Sequence, residues 1–147
     1  DRLFEQRQWT HKPLNEVFDF FSDEQNLEEL TPPLLNFKVE GKSTEKIQEG
    51  TKIYYKLKIR GIPARWTSLI TNWEPMTQFA DVQIKGPYSK WYHRHLFRKL
   101  AGGVLLEDKV VYRLPFSRYG GNLLNWFIRK DIKTIFSYRR NIIKEWH

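Results

Sequence analysis

The residues whose types and spacing could do chemistry in this chain are His93, His95 and Asp108. Two histidines separated by one residue point the same way on a β-strand, because side chains alternate. A carboxylate beside them admits two kinds of chemistry. Two imidazoles and a carboxylate can hold a divalent metal ion. An imidazole oriented by a carboxylate can instead move protons on an enolisable, cyclising substrate. The metal reading lacks ligands. Where His-x-His metal motifs place a Glu a few residues on, Lys99 and Leu100 stand here, and the other histidines, His11 and His147, lie near the ends of the sequence. No metal and no cofactor are therefore expected. No nucleophile pattern accompanies the histidines, so His93, His95 and Asp108 are acid–base candidates and nothing more specific.

The element that must position them is residues 91–116, WYHRHLFRKLAGGVLLEDKVVYRLPF, which reads as two strands joined at Gly102-Gly103. With those glycines as a two-residue loop, counting outward sets Phe97 opposite Asp108, His95 opposite Val110, His93 opposite Tyr112 and Trp91 opposite Leu114. All of these share one face. The other face carries Arg98 opposite Glu107, Leu96 opposite Lys109 and Tyr92 opposite Arg113, and reads as wet with one favourable charge pair. The first face is aromatic and apolar yet holds three ionisable groups, whose unpaired burial is costly. A three-residue turn would put one side of the hairpin out of phase and break the cluster.

The other elements follow from periodicity. Residues 2–9 form a first strand of poor alternation, with Leu3, Phe4 and Trp9 as its apolar members. Residues 13–21 form a helix with Leu14, Val17, Phe18 and Phe21 on one side, and a second short helix runs to Leu30 before Pro32-Pro33. Residues 34–40 read as a short strand and 41–50 as a polar loop. Residues 51–60 alternate well: Ile53, Tyr55, Leu57 and Ile59 against Lys56, Lys58 and Arg60. Residues 64–73 put Trp66, Ser68 and Ile70 inside and Arg65 out, and 79–85 continue the sheet until Gly86-Pro87. Residues 122–146 form a long helix with Leu124, Ile128, Ile132, Ile135, Ile142 and Trp146 in one stripe, and Arg139 falls near the middle of it. Strands joined by short connections describe an antiparallel meander, and with the helices an α+β layout of one domain, 1–147.

The totals bound the function. A chain of 147 residues can bury about 70% of its unfolded surface without staples. The absence of cysteine excludes disulfides and thiolate chemistry and fits a reducing cytoplasm. No apolar run approaches the roughly 18–20 residues of a membrane span. Aromatics at 16% suit a large core or an apolar pocket. A net charge of +8 raises RNA or anionic lipid as partners. Base-stacking aromatics on the outward faces are few (Tyr54, Tyr92 and Trp126), so nucleic acid is not the favoured partner.

The order of elements, with Phe79-x-Asp81-x-Gln83, Gly86-Pro87-Tyr88, Trp91-x-His93-x-His95-x-Phe97 and Asp108-x-Val110-x-Tyr112-x-Leu114-Pro115-Phe116, resembles the SRPBCC, or START-like helix-grip, superfamily. Within it the likeness is to ligand-binding domains near the polyketide cyclase/dehydrase and lipid-transport group. Ser117 departs from the glycine expected after the Pro-Phe pair. The resemblance implies a curved sheet of about seven strands around a long C-terminal helix, with a cavity between them and no particular ligand.

In such a cavity Asp81, Gln83, His93, His95, Asp108 and Tyr112 would supply directional hydrogen bonds, and Tyr55, Trp66, Trp91 and Phe97 the apolar wall. The bland alternative is a polar network that satisfies itself without a ligand. Arg139 either snorkels to water from the rim or enters, pairing with Asp108 or Asp81 or meeting a ligand's carboxylate or phosphate. The expected function is binding a small or medium hydrophobic molecule, lipid-, polyketide- or isoprenoid-like, with an anionic end as one option. The alternatives are a cyclase- or dehydratase-like enzyme, and a basic RNA- or lipid-surface module.

Overall fold

Alternating side chains build a seven-stranded antiparallel sheet in the order β1-β7-β6-β5-β4-β3-β2. The strands are β1 (Arg2–Thr10), β2 (Lys38–Lys42), β3 (Lys52–Ile59), β4 (Ile62–Glu74), β5 (Gln78–Lys85), β6 (Lys90–Leu100) and β7 (Gly103–Arg113). Helices α1 (Leu14–Phe21) and α2 (Asn26–Leu30) follow β1, and α3 (Asn122–Lys144) comes last. The computed structural model describes residues 1–59, 61–114 and 122–146, with the side chains of 122–125, 127 and 128 outside the description. The side chains of Leu124 and Ile128 of the expected stripe, and all of Ser117 and the Pro115-Phe116 pair, therefore lie outside the description. Among the described residues, no helix is long and apolar enough to cross a membrane.

In β3, Ile53, Tyr55 and Leu57 are buried while Lys52, Lys56 and Lys58 face water, as the alternation predicts. Register shifts in the β4–β5 pairing, one next to Asn72 at φ 54°, curve the sheet. Residues 34–40 depart from the expected strand. Pro33–Leu35 makes a 3-10 turn, Asn36 turns the chain at φ 46°, and pairing begins only at Lys38.

β1 also differs from its reading. Its inward row is Phe4, Gln6, Gln8 and Thr10, while Leu3 and Trp9 are exposed. The glutamines have a use: Gln6 Nε2 donates to the Phe136 carbonyl at 3.2 Å and Gln8 Nε2 to that of Arg140 at 2.9 Å. Arg140 Nη1 returns a bond to the Arg7 carbonyl at 2.8 Å. α3 is thereby fastened along β1. Its buried row is Ile132, Phe136, Arg139 and Ile143, and its last turn brings Trp146 against Phe20 and Phe21 at 5.0 and 5.9 Å.

The hairpin keeps its predicted face but not its predicted loop. Leu100 pairs with Gly103, so the loop is Ala101-Gly102, with φ of 51° and 79°. Two positive φ values in a two-residue loop are what a right-twisted hairpin favours. Every pairing moves by two residues: Trp91 faces Tyr112, His93 faces Val110, His95 faces Asp108 and Phe97 faces Leu106. A shift of two preserves the faces. On the wet side the Arg98–Glu107 pair does not form. Arg98 opposes Leu105, and Glu107 meets Arg7 on β1 at 3.2 Å.

Candidate functional site

The concave face of β5, β6 and β7 brings Asp81, His93, His95 and Asp108 together, and α3 adds Arg139 from above. Asp81 faces His93 across β5 and β6, and His95 faces Asp108 across β6 and β7. The short hydrogen bonds run along the diagonals. His93 Nε2 lies 2.8 Å from Asp108 Oδ1, and His95 Nε2 lies 2.7 Å from Asp81 Oδ2. The directly opposite contacts are longer, 3.6 Å for His93 to Asp81 and 3.7 Å for His95 to Asp108. Each histidine therefore serves one carboxylate and each carboxylate one histidine.

Arg139 enters the interior. Its Nη2 is 3.1 Å from Asp108 Oδ1 and 3.3 Å from His95 Nδ1, and the Phe21 ring covers the guanidinium at 4.6 Å. An arginine only donates, so His95 Nδ1 accepts and its proton sits on Nε2, directed at Asp81. Arg139 Nε is buried without a hydrogen-bond partner. The cluster lies between two apolar groups. Phe79 and Phe97 stack on its His95 side, and Trp91, Val110 and Phe136 close its His93 side.

These contacts set the protonation states. Burial alone would raise Asp108, but Arg139 and then the His93 bond hold it well below the usual carboxylate range. Asp81 is also lowered: burial works against it, and the His95 bond with the charges of His93, His95 and Arg139 prevails. Burial, helped by His93, lowers His95 to about 4 against the opposing pull of Asp81. Both carboxylates are thus ionised and His95 neutral near pH 7.

Asp81, His93 and His95 come close enough to suggest a metal site, with ligand atoms within 4.8 Å of one another. The third member is Asp81 rather than the expected Asp108. The two imidazoles stack at 3.8 Å and 28°, and a nitrogen of each approaches Asp81 Oδ2, His95 Nε2 at 2.7 Å and His93 at 3.6 Å. The His95 Nε2 proton already occupies that approach. Arg139 beside His95 adds a fixed positive charge.

The remaining expected residues divide. Trp91 and Tyr112 are buried in an aromatic group with Trp66 and Tyr88, where Trp66 meets Trp91 edge-on at 5.3 Å. Trp66 Nε1 donates to Ser68 Oγ at 3.0 Å. Tyr55 is hydrogen-bonded with Ser68; burial first, then the Asp81 charge, push its hydroxyl up. Gln83 stays out of the cluster. Its amide clamps the turn, donating to the Tyr88 carbonyl at 2.8 Å and accepting the Tyr88 N–H at 3.0 Å. The sequence reading left two residues out of the site: Tyr88, quoted there only within the Gly86-Pro87-Tyr88 motif, and Phe136, whose ring lies 5.4 Å from His93. The i+4 spacing of Phe136 from Ile132 was the available signal.

One more feature bears on access. His93, His95, Asp108 and Arg139 are all below 10% exposed, yet the Asp81 side chain keeps 20%. Further along the same face Trp66 and Tyr88, in ring contact at 5.6 Å, are half-buried. Asp81 is thus the least buried member of the network.

A curved antiparallel sheet closed by a long C-terminal helix, with a buried polar site between them, defines a START-like helix-grip protein. The chain belongs to the family described as polyketide cyclase / dehydrase and lipid transport, whose signature covers residues 10–136. No curated protein matches the sequence. Solved structures share the fold at low identity. A START superfamily protein from Mycobacterium smegmatis has a TM-score of 0.71 at 9% identity, over 97% of each chain. The Zhui aromatase/cyclase from a Streptomyces species has 0.71 at 14%, over 97% of this chain and 90% of that one. A Thermus thermophilus protein has 0.69 at 13%, over 97% of each.

Proposed function

We propose that the chain works as one ligand-binding domain, taking a small or medium hydrophobic molecule between the sheet and α3. Trp66, Tyr88, Trp91 and Tyr112 form the apolar wall, with Tyr55 and Phe97 beyond it, and the Asp81–His95 and His93–Asp108 pairs border the polar end. The observation that carries this reading is the partial exposure of the Asp81 side chain on a concave face whose other ionisable groups are buried, with the half-buried Trp66 and Tyr88 further along that face. Pockets for small molecules combine such apolar walls with a few fixed polar groups. Denaturing solvent extraction of the purified protein, followed by mass spectrometry, tests it. A stoichiometric lipid-, polyketide- or isoprenoid-like molecule is expected. An empty extract, with no thermal shift across a panel of such compounds, counts against the reading.

The crossed hydrogen bonds favour a second reading, acid–base catalysis of the cyclase or dehydratase kind. With His93 Nε2 engaged by Asp108, its Nδ1 is the nitrogen open to exchange a proton. His93→Gln that folds normally and turns over a substrate at the native rate would remove this reading.

A further inference from the structure

We infer that the site selects ligands whose polar end donates hydrogen bonds, a hydroxyl, phenol or ammonium group, and discriminates against carboxylates and phosphates. This rests on the binding reading above. The cation that would attract an anion is already engaged. Arg139 Nη2 holds Asp108 at 3.1 Å, one face of its guanidinium lies under Phe21, and its side chain is 9% exposed. Its unpartnered Nε is buried as well, so an anion reaches it only by opening that packing. The least buried ionisable group of the cluster is Asp81, with 20% of its side chain exposed. It is ionised, and its Oδ2 accepts the hydrogen bond of His95 Nε2–H at 2.7 Å. An ionised carboxylate only accepts, so the group that meets it must donate. A carboxylate or phosphate placed there would face a like charge in a poorly hydrated setting, where repulsion is strong. The nearest polar side chains on β3 and β4 are neutral: the Tyr55 hydroxyl and Ser68 already bond each other, and Trp66 donates to Ser68.

The test is a titration at pH 7 with three probes of one shape: naphthalene, 2-naphthol and 2-naphthoate. Heteronuclear NMR reads binding to the wild-type chain and to Asp81→Asn, which keeps an acceptor for His95 and removes the charge. The expected result is that 2-naphthol binds wild type at least about tenfold more tightly than 2-naphthoate, the size of effect a single charge-assisted hydrogen bond supplies. In Asp81→Asn that gap should shrink severalfold. The wild-type series alone decides the matter if the variant does not fold. If 2-naphthoate binds as tightly as 2-naphthol while naphthalene also binds, the selectivity is overturned and the pocket stands. If none of the three binds, the binding reading and the selectivity fall together.

Discussion

Arg139 Nη2 sits 3.1 Å from Asp108 Oδ1 in the interior, with 9% and 8% of the two side chains exposed. This ion pair joins the C-terminal third of α3 to the β6–β7 hairpin. Removing one partner strands the other charge in an apolar setting. Arg139→Met should therefore cost about 3–5 kcal/mol in urea denaturation. Combining it with Asp108→Asn should cost clearly less than the sum of the two single changes. Additive losses would mean that the pair is not coupled.

The same cluster sets the response to acid. His95 titrates near 4 in the fold, against an ordinary value near 6.5 in the unfolded chain. Between those pH values the unfolded state binds the extra proton, so stability falls as pH drops from about 6.5 to 4. Asp81 and Asp108, both lowered, extend the loss below the ordinary carboxylate value near 4. The charged groups that face His95 are Asp81, Asp108 and Arg139, with the His93 ring stacked beside it. We expect up to about 3 kcal/mol less stability at pH 4 than at pH 7. His95→Gln should flatten the slope between pH 4 and 6.5. An unchanged slope in that variant would assign the titration elsewhere.

The two adjacent glycines of the hairpin should respond differently. At Gly102 an added Cβ meets open space, so alanine there carries only the backbone strain of φ 79°, about 1 kcal/mol. At Gly103 the same Cβ would run into the Thr10 carbonyl and come within 2.6 Å of the Trp9 ring. Gly103→Ala should cost about 2–3 kcal/mol. Ala101→Asn, matched to φ 51°, should gain about 0.5 kcal/mol. Thermal denaturation of the three variants checks the order.

Metal ions should leave the protein unmoved. Because Asp81 is already bonded to His95 and Arg139 adds a fixed positive charge beside that ring, zinc at low micromolar concentration should not raise the melting temperature. A stabilisation that His93→Gln abolishes would show that the rings rotate to chelate it.

Period-two alternation made the concave face legible. It put His93, His95 and Asp108 on one side, and that survived a register error because the error was two residues. The loop itself was hidden by Ala101, an alanine in a left-handed conformation that glycine would have announced. Gln6 and Gln8 spoiled the alternation of β1, since their partners are helix carbonyls more than a hundred residues away. Nothing local in the sequence signals such partners. Arg139 in an apolar stripe was visible as an anomaly, while its pairing with Asp108 rather than with water needed the packing of α3 on the sheet. Gln83 shares the concave face with Asp81, but the turn at Tyr88 claims its amide.

The most direct measurement is to locate a bound probe by the indole N–H resonances, assigned with Trp→Phe variants, as 2-naphthol is titrated in. A pocket between sheet and helix predicts saturable shifts at Trp66 and Trp91 together with the His93 ring, and little change at Trp9 or Trp126. A cleft of about 580 Å³, lined by Lys12, Leu14, Met76, Lys99 and Leu100, opens elsewhere, at the hairpin tip beside Trp9. Shifts confined to Trp9 and the tip, with Trp66 and Trp91 silent, would contradict the proposed site.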